Sequence, residues 1–212
     1  MTVAYLRPAP RKHVAVDRLD KAFELGWDYA HHGVTPPMEH LQAIGSLRNG
    51  WQAGRAAFGQ RTLRTDRFVR KWLQLRLHAW QRCRAFDEGS VNPAFLRQID
   101  VPLCPITREV LTHCTGELSD ASVDRVFNDA GYAIGNLAVM STRANLAKGS
   151  MGFKEALEHQ QRAVSGQLEQ SKSLTGAQWG RIAVMASFTT PLPHSTAATL
   201  PLTVLPPTDC GF

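Results

Sequence analysis

Several polar residues between positions 122 and 149 stand where packing does not call for them. Asp124 and Arg125 lie inside a short apolar run, Asn136 opens a second one, and Asn145 and Lys148 follow on a helix-forming segment. Strand alternation puts Val123 and Arg125 on one face and Ser122, Asp124 and Val126 on the other. Asn145 and Lys148 share a helix face, as do Ser141 and Asn145. If that face packs on the first strand, the carboxylate of Asp124 and the amide oxygen of Asn145 approach each other. One carboxylate and one amide oxygen, completed by waters, suit Mg²⁺ or Mn²⁺ better than zinc. A single such cation is suited to phosphodiester hydrolysis. The alternative is that these residues are polar pairs that stabilise a hairpin.

A strand, a turn, a second strand and a helix must position these groups. Asn128, Asp129 and Gly131 supply turn chemistry, and the return strand turns Leu137 and Val139 inward. Ser141 is a suitable helix N-cap and Gly149 a suitable stop. Around this unit the apolar spacing predicts helices over 16–32, 38–58 and 65–86, and a short one over 92–98. Gly45, Gly50, Gly54 and Gly59 weaken the second of these. Residues 104–116 read as a turn and a short extended segment, and 152–173 and 176–188 as helices. Residues 1–12 read as a loose basic tail. The prolines at 191, 193, 201, 206 and 207 argue against regular helix in the C-terminal tail.

The expected fold is therefore α+β and mainly α-helical, with helical flanks around a small hairpin–helix insert. The expected organisation is a basic, tryptophan-containing helical region over 1–100, the hairpin–helix over 101–150, and helices with a Pro-rich tail over 151–212, all in one compact domain.

The chain has 212 residues, 43% of them hydrophobic and 20% charged, which is ordinary for a soluble globular protein. No apolar run approaches the roughly 18 residues of a membrane span, and the basic N-terminus leads into no apolar signal segment. No membrane partner is expected. Cys83, Cys104, Cys114 and Cys210 form no close pair, which favours reduced thiols and a cytoplasmic setting. Cys104, His113 and Cys114 make only one irregular set, so zinc is disfavoured. The two cysteines are read as small buried hydrophobes. His31, His32 and His40 are read as structural or exposed.

The formal charge of +6 is unevenly placed. Between 48 and 84 lie Arg48, Arg55, Arg61, Arg64, Arg67, Arg70, Lys71, Arg76, Arg82 and Arg84, opposed only by Asp66, with Trp51, Trp72 and Trp80 interleaved. A phosphate-tracking surface has this composition, with Arg67, Arg70 and Lys71 as candidate contacts. A solvated basic helix whose tryptophans anchor the core has it too.

Cys104-Pro105, the run Ser122, Val123, Asp124 and Arg125, Gly131-Tyr132, Gly135-Asn136, Asn145 and Lys148 together resemble the HNH (ββα-metal) endonuclease family, in its phage and prophage type. The likeness spans about 102–150. It implies a DNA-acting, metal-dependent nuclease in which Asp124 and Asn145 hold one Mg²⁺ or Mn²⁺. It also implies that Asn136 braces the loop through backbone hydrogen bonds, and that Lys148 and Arg143 contact phosphate. The chain departs from the family where a general-base His usually follows the ligand Asp. Here that residue is Arg125, which cannot accept a proton at neutral pH. His113 is the candidate substitute, although an ordinary surface or turn histidine fits the same position. Arg125 could instead clamp the scissile phosphate. Three functions follow: a metal-dependent nuclease on DNA in preference to RNA, a non-catalytic nucleic-acid binder on the same scaffold, or a helical protein–protein adaptor using its tryptophans.

Overall fold

The computed structural model describes residues 11–165 and 174–198, with the backbone alone for 11–17 and 197. The fold is α+β and mainly helical, with one two-stranded antiparallel sheet among the described residues. The chain divides into two compact units, Met1–Arg97 and Gln98–Phe212.

The first unit is helical. Helices α1 (Arg11–His31) and α3 (Gly45–Phe58) pack backbone against backbone. A Cβ on Gly50 would lie 2.0 Å from the Phe23 carbonyl oxygen, and one on Gly26 2.1 Å from that of Leu47. The glycines that weaken α3 as an isolated helix are thus what allow it to dock. Helix α4 (Arg67–Gln81) closes the core with Val69, Leu73 and Leu77 against Leu25, Tyr29 and Leu47. It begins at Asp66, whose carboxylate accepts hydrogen bonds from the Phe68 and Val69 amides at 2.9 and 3.0 Å. Those bonds, led by the one from Val69, hold the Asp66 carboxyl below its ordinary range.

Three expectations change here. Helix α1 starts at Arg11, inside the stretch read as a tail. The segment expected as one helix over 38–58 is two, α2 (Met38–Ala43) and α3, because Ile44 is extended and packs against the core. A β-branched residue followed by glycine is a weak point in any helix. Helix α4 stops at Gln81, short of residue 86, and Cys83 lies in the left-handed region at φ 50°. Helix α5 (Pro93–Gln98) follows, with the Asn92 side chain accepting from the Phe95 amide at 3.0 Å.

The second unit holds strands β1 (Ala121–Arg125) and β2 (Leu137–Ser141) and helices α6 (Thr142–Lys148), α7 (Phe153–Val164) and α8 (Gly176–Ser187). Its core gathers Met140 and Val139 from β2, Ala144 and Ala147 from α6, Phe153 from α7, and Trp179 and Ile182 from α8. Met140 is as buried as its neighbour Val139, so β2 is covered on both faces rather than only on the expected one. Residues 166–173, the end of the predicted 152–173 helix, lie outside the described residues. In the Pro-rich tail, which was expected to hold no regular helix, one helical turn, α9 (His194–Ala197), follows Pro193. Proline is tolerated at the start of a helix, where its missing N–H is not needed. The tail beyond 198 lies outside the described residues.

Candidate functional site

The hairpin pairs Ala121 with Ser141, Ser122 with Met140, Val123 with Val139, Asp124 with Ala138 and Arg125 with Leu137. The loop that joins the strands is built around Asn136, itself buried. Its Oδ1 accepts from the Phe127 amide at 2.8 Å, and its Nδ2 donates to the Phe127 and Gly131 carbonyls at 3.0 and 2.8 Å. One side chain thus satisfies backbone groups on both arms of the loop, which a short connection cannot pair for itself. Arg125 serves the same loop. Its Nη1 donates to the Asn128 and Ala130 carbonyls at 2.6 and 3.0 Å, and its guanidinium lies 5.2 Å from the Tyr132 ring centroid.

Ser141 caps α6, its Oγ accepting from the Ala144 amide at 3.3 Å, and Gly149 ends the helix at φ 53°. Between them α6 lies along β1 and the residue before it, meeting them at three rungs. Thr142 donates to the Asp120 carbonyl through its amide at 2.8 Å and its Oγ1 at 3.0 Å. Asn145 Nδ2 donates to Ser122 Oγ at 2.7 Å. Lys148 Nζ stands 2.8 Å from Asp124 Oδ2 and donates to the Arg125 carbonyl at 3.0 Å. Helix residues three apart thus meet strand residues two apart, each set lying on one face of its element.

Asp124 is 7% exposed and Lys148 0%. Burial pushes the Asp124 carboxyl above its ordinary value, and the Lys148 ammonium, followed by Arg125, opposes that rise. Asp124 Oδ2 is buried and lacks a well-aligned hydrogen bond, so the Lys148 contact holds it by charge. Asn145 is half-buried. Its Nδ2 is committed to Ser122, which leaves its carbonyl oxygen as the atom that could meet a cation. No three His, Cys, Asp or Glu side chains gather among the described residues. A cation here would thus have one carboxylate and one amide oxygen from the protein, a donor chemistry that fits a hard, mostly hydrated ion.

The remaining candidates fall elsewhere. His113 is exposed in the loop after Thr112. Thr112 is bridged to Asp120, four residues or about 13 Å along the strand from Asp124. The backbone N–H of Arg143 donates to the Leu118 carbonyl and its Nε lies 3.9 Å from Glu109, so it too belongs to the far end of the ladder. Lys148, expected at a phosphate, has no exposed surface and faces Asp124. Of the Arg125 nitrogens expected to clamp a phosphate, Nη1 is taken up by the loop carbonyls. Cys104 is buried as expected. Burial raises its thiol, but hydrogen bonds from Ser141 and Thr107 bring it below its ordinary value. Its Sγ accepts the Ser141 amide at 3.2 Å and so joins the 102–111 turn to the site. Cys114, expected to be buried, is exposed: it is a left-handed residue of the loop bound by Asp120, at φ 57°.

Ser122, Thr142 and Asp120 complete the ladder, three residues with no role expected from the sequence. The available signal was the pairing of positions 120, 122 and 124 with 142, 145 and 148. Asp120 also ties the preceding loop through Thr112, Thr115 and Gly116. The Thr115 hydroxyl is the largest of the contacts that take its carboxyl down to about 2.

In the first unit, Arg67 and Arg70 are exposed and Lys71 half-buried on one side of α4, away from Val69 and Leu73. The Arg67 guanidinium lies 4.6 Å from the Phe68 ring centroid. Arg76, counted with the basic group, is 6% exposed and paired with Asp28 and Glu88. The tryptophans have structural partners. Trp72 Nε1 donates to the Val91 carbonyl and Trp80 Nε1 to that of Arg18, each at 2.9 Å, and Arg55 lies 5.0 Å from the Trp51 centroid.

No family model, no curated protein and no solved structure matches the chain. No helix among the described residues is long and apolar enough to cross a membrane.

Proposed function

We propose that the second unit carries an HNH-like ββα site that hydrolyses phosphodiester bonds in DNA with one divalent cation, Mg²⁺ or Mn²⁺. The observation that carries this reading is the burial of Asp124 on the hairpin face covered by α6, with the Asn145 amide one rung away. Asp124 and Asn145 would hold the cation, which when bound supplies charge for the phosphate and the leaving 3′ oxygen. Asn136 and Arg125 keep the loop in place and so hold β1 in register under α6. Arg143, and Arg67, Arg70 and Lys71 on the first unit, would contact the nucleic-acid backbone, in the cytoplasm. The test is nicking of supercoiled plasmid with Mg²⁺ or Mn²⁺. Asp124→Ala and Asn145→Ala are each expected to lower the rate at least about 100-fold. Equal cleavage by wild type and both variants would sink the reading.

The position of the missing base favours a second reading, a DNA-binding protein that keeps the scaffold without turnover. No imidazole belongs to the ladder, and His113 is at its other end. This reading expects salt-sensitive DNA binding, weakened when Arg67, Arg70 and Lys71 become Ala, and no nicking with either metal. If there is turnover, His113→Ala separates the cases: an unchanged rate means that His113 is not the base.

A further inference from the structure

Lys148 is the largest charged side chain with no exposed surface among the described residues, and it ends a helix of only seven residues. So short a helix has little stability of its own and must be held by its contacts. Both contacts of the ammonium go to β1: the Asp124 carboxylate and the Arg125 carbonyl. Asp124 in turn is itself buried, where a carboxylate without a charged partner is costly. The two buried side chains stand 2.8 Å apart and are each other's charged partner.

We propose that Lys148 is a resident counter-ion for Asp124, locking α6 onto β1 while no divalent cation is bound. A cation arriving at Asp124 must share that carboxylate with the ammonium or displace it. This second part rests on the metal-site reading above, and the first does not. Lys148 is then a positioning residue whose charge organises the site before any ligand arrives. It does not reach a phosphate, because it could do so only if α6 left the hairpin.

The test is thermal unfolding of the full chain in EDTA, with hydrogen exchange of the β1 and α6 amides assigning the transition to the second unit. Lys148→Met and Asp124→Asn are each expected to lower that transition by about 10 °C or more, since each leaves a buried charge unmatched. The double variant Asp124→Asn/Lys148→Met should recover most of the loss, because no charge is then left alone. Additive losses, or a Lys148→Met transition equal to wild type, overturn the proposal. Should Lys148→Met fail to fold, a folded double variant supports it, and a double variant that is also unfolded overturns it. A second arm adds millimolar Mn²⁺. Mn²⁺ is expected to raise the Lys148→Met transition more than that of wild type, because the competing ammonium is gone. Coupling without any Mn²⁺ effect keeps the counter-ion and sinks the metal site. Equal Mn²⁺ stabilisation without coupling does the reverse.

Discussion

The two units treat buried polarity in opposite ways. In Met1–Arg97 the only buried charged or polar side chain among the described residues is Arg76. It reaches outward to two acids that are themselves partly exposed. The other four buried ones, Asp124, Asn136, Ser141 and Lys148, lie within one hairpin and helix of the second unit. A core needs only apolar packing, and every polar group placed inside costs stability unless it is satisfied. The first unit follows that economy with Arg76 as the exception among the described residues, and Arg67 and Arg70 lie outside. The second departs from it in one place, and that place is where a function should be sought.

The comparison breaks first if the units are not independent. Gly50→Ala, which drives a methyl into the Phe23 carbonyl, is expected to cost the first unit about 3 kcal/mol or more. Exchange protection of the β1 and α6 amides should stay as it is; loss of protection in both units would remove the division. Next in size, Asn136→Ala leaves three backbone groups without their partner, a loss of about 2–3 kcal/mol confined to the second unit. A smaller loss in urea unfolding would mean that the loop finds water instead, and that the buried polar group is less of an organiser than its geometry suggests. Arg76→Ala should cost about 2 kcal/mol, less than a fully buried pair, because Asp28 and Glu88 remain open to solvent.

Acid provides the finest contrast. His32 and His78 in the first unit both have lowered pKa values, with burial the largest cause. The unfolded chain therefore binds protons before the folded one does. Their stabilisation is complete above the ordinary value of 6.5 and is lost as pH falls below it. Asp120 in the second unit is lowered to about 2, so its contribution is complete above the ordinary 3.8 and is lost only as pH falls towards 2. Unfolding followed from pH 7 to 5 should loosen the first unit while Asp120 still holds its loop, and His32→Gln should flatten that slope. Equal loosening of both units over this range would remove the contrast.

Much of the fold could be read directly. The polar cap at Ser141, the stop at Gly149 and the alternation of 122–126 are local signals, and the hairpin and helix appear where those signals lie. The division of 38–58 into two helices was not legible, because it depends on Ile44 turning into a core made by other elements. Nor was the docking of α1 on α3: glycine reads as weakness in a helix taken alone and becomes close approach only when a partner backbone is present. In the site, Asn136 had no apolar reason to open a strand, and that mismatch marked it. The phosphate role of Lys148 was implied by the family resemblance alone, and its burial against Asp124 depends on a strand that the residues around Lys148 do not reveal.

Local chemistry in the chain determined which residue types sit on each face of the hairpin and helix, that the mass of the protein is helical, and where its positive charge is concentrated. These follow from periodicity and composition, which need no neighbours. Folding alone decided that Lys148 rather than solvent faces Asp124, that Arg125 turns to its own loop, and that His113 and Arg143 stand at the opposite end of the ladder. Such matters depend on which elements meet and in what register. A side chain's charge is written in the sequence, but its partner is chosen only when two distant stretches share one face.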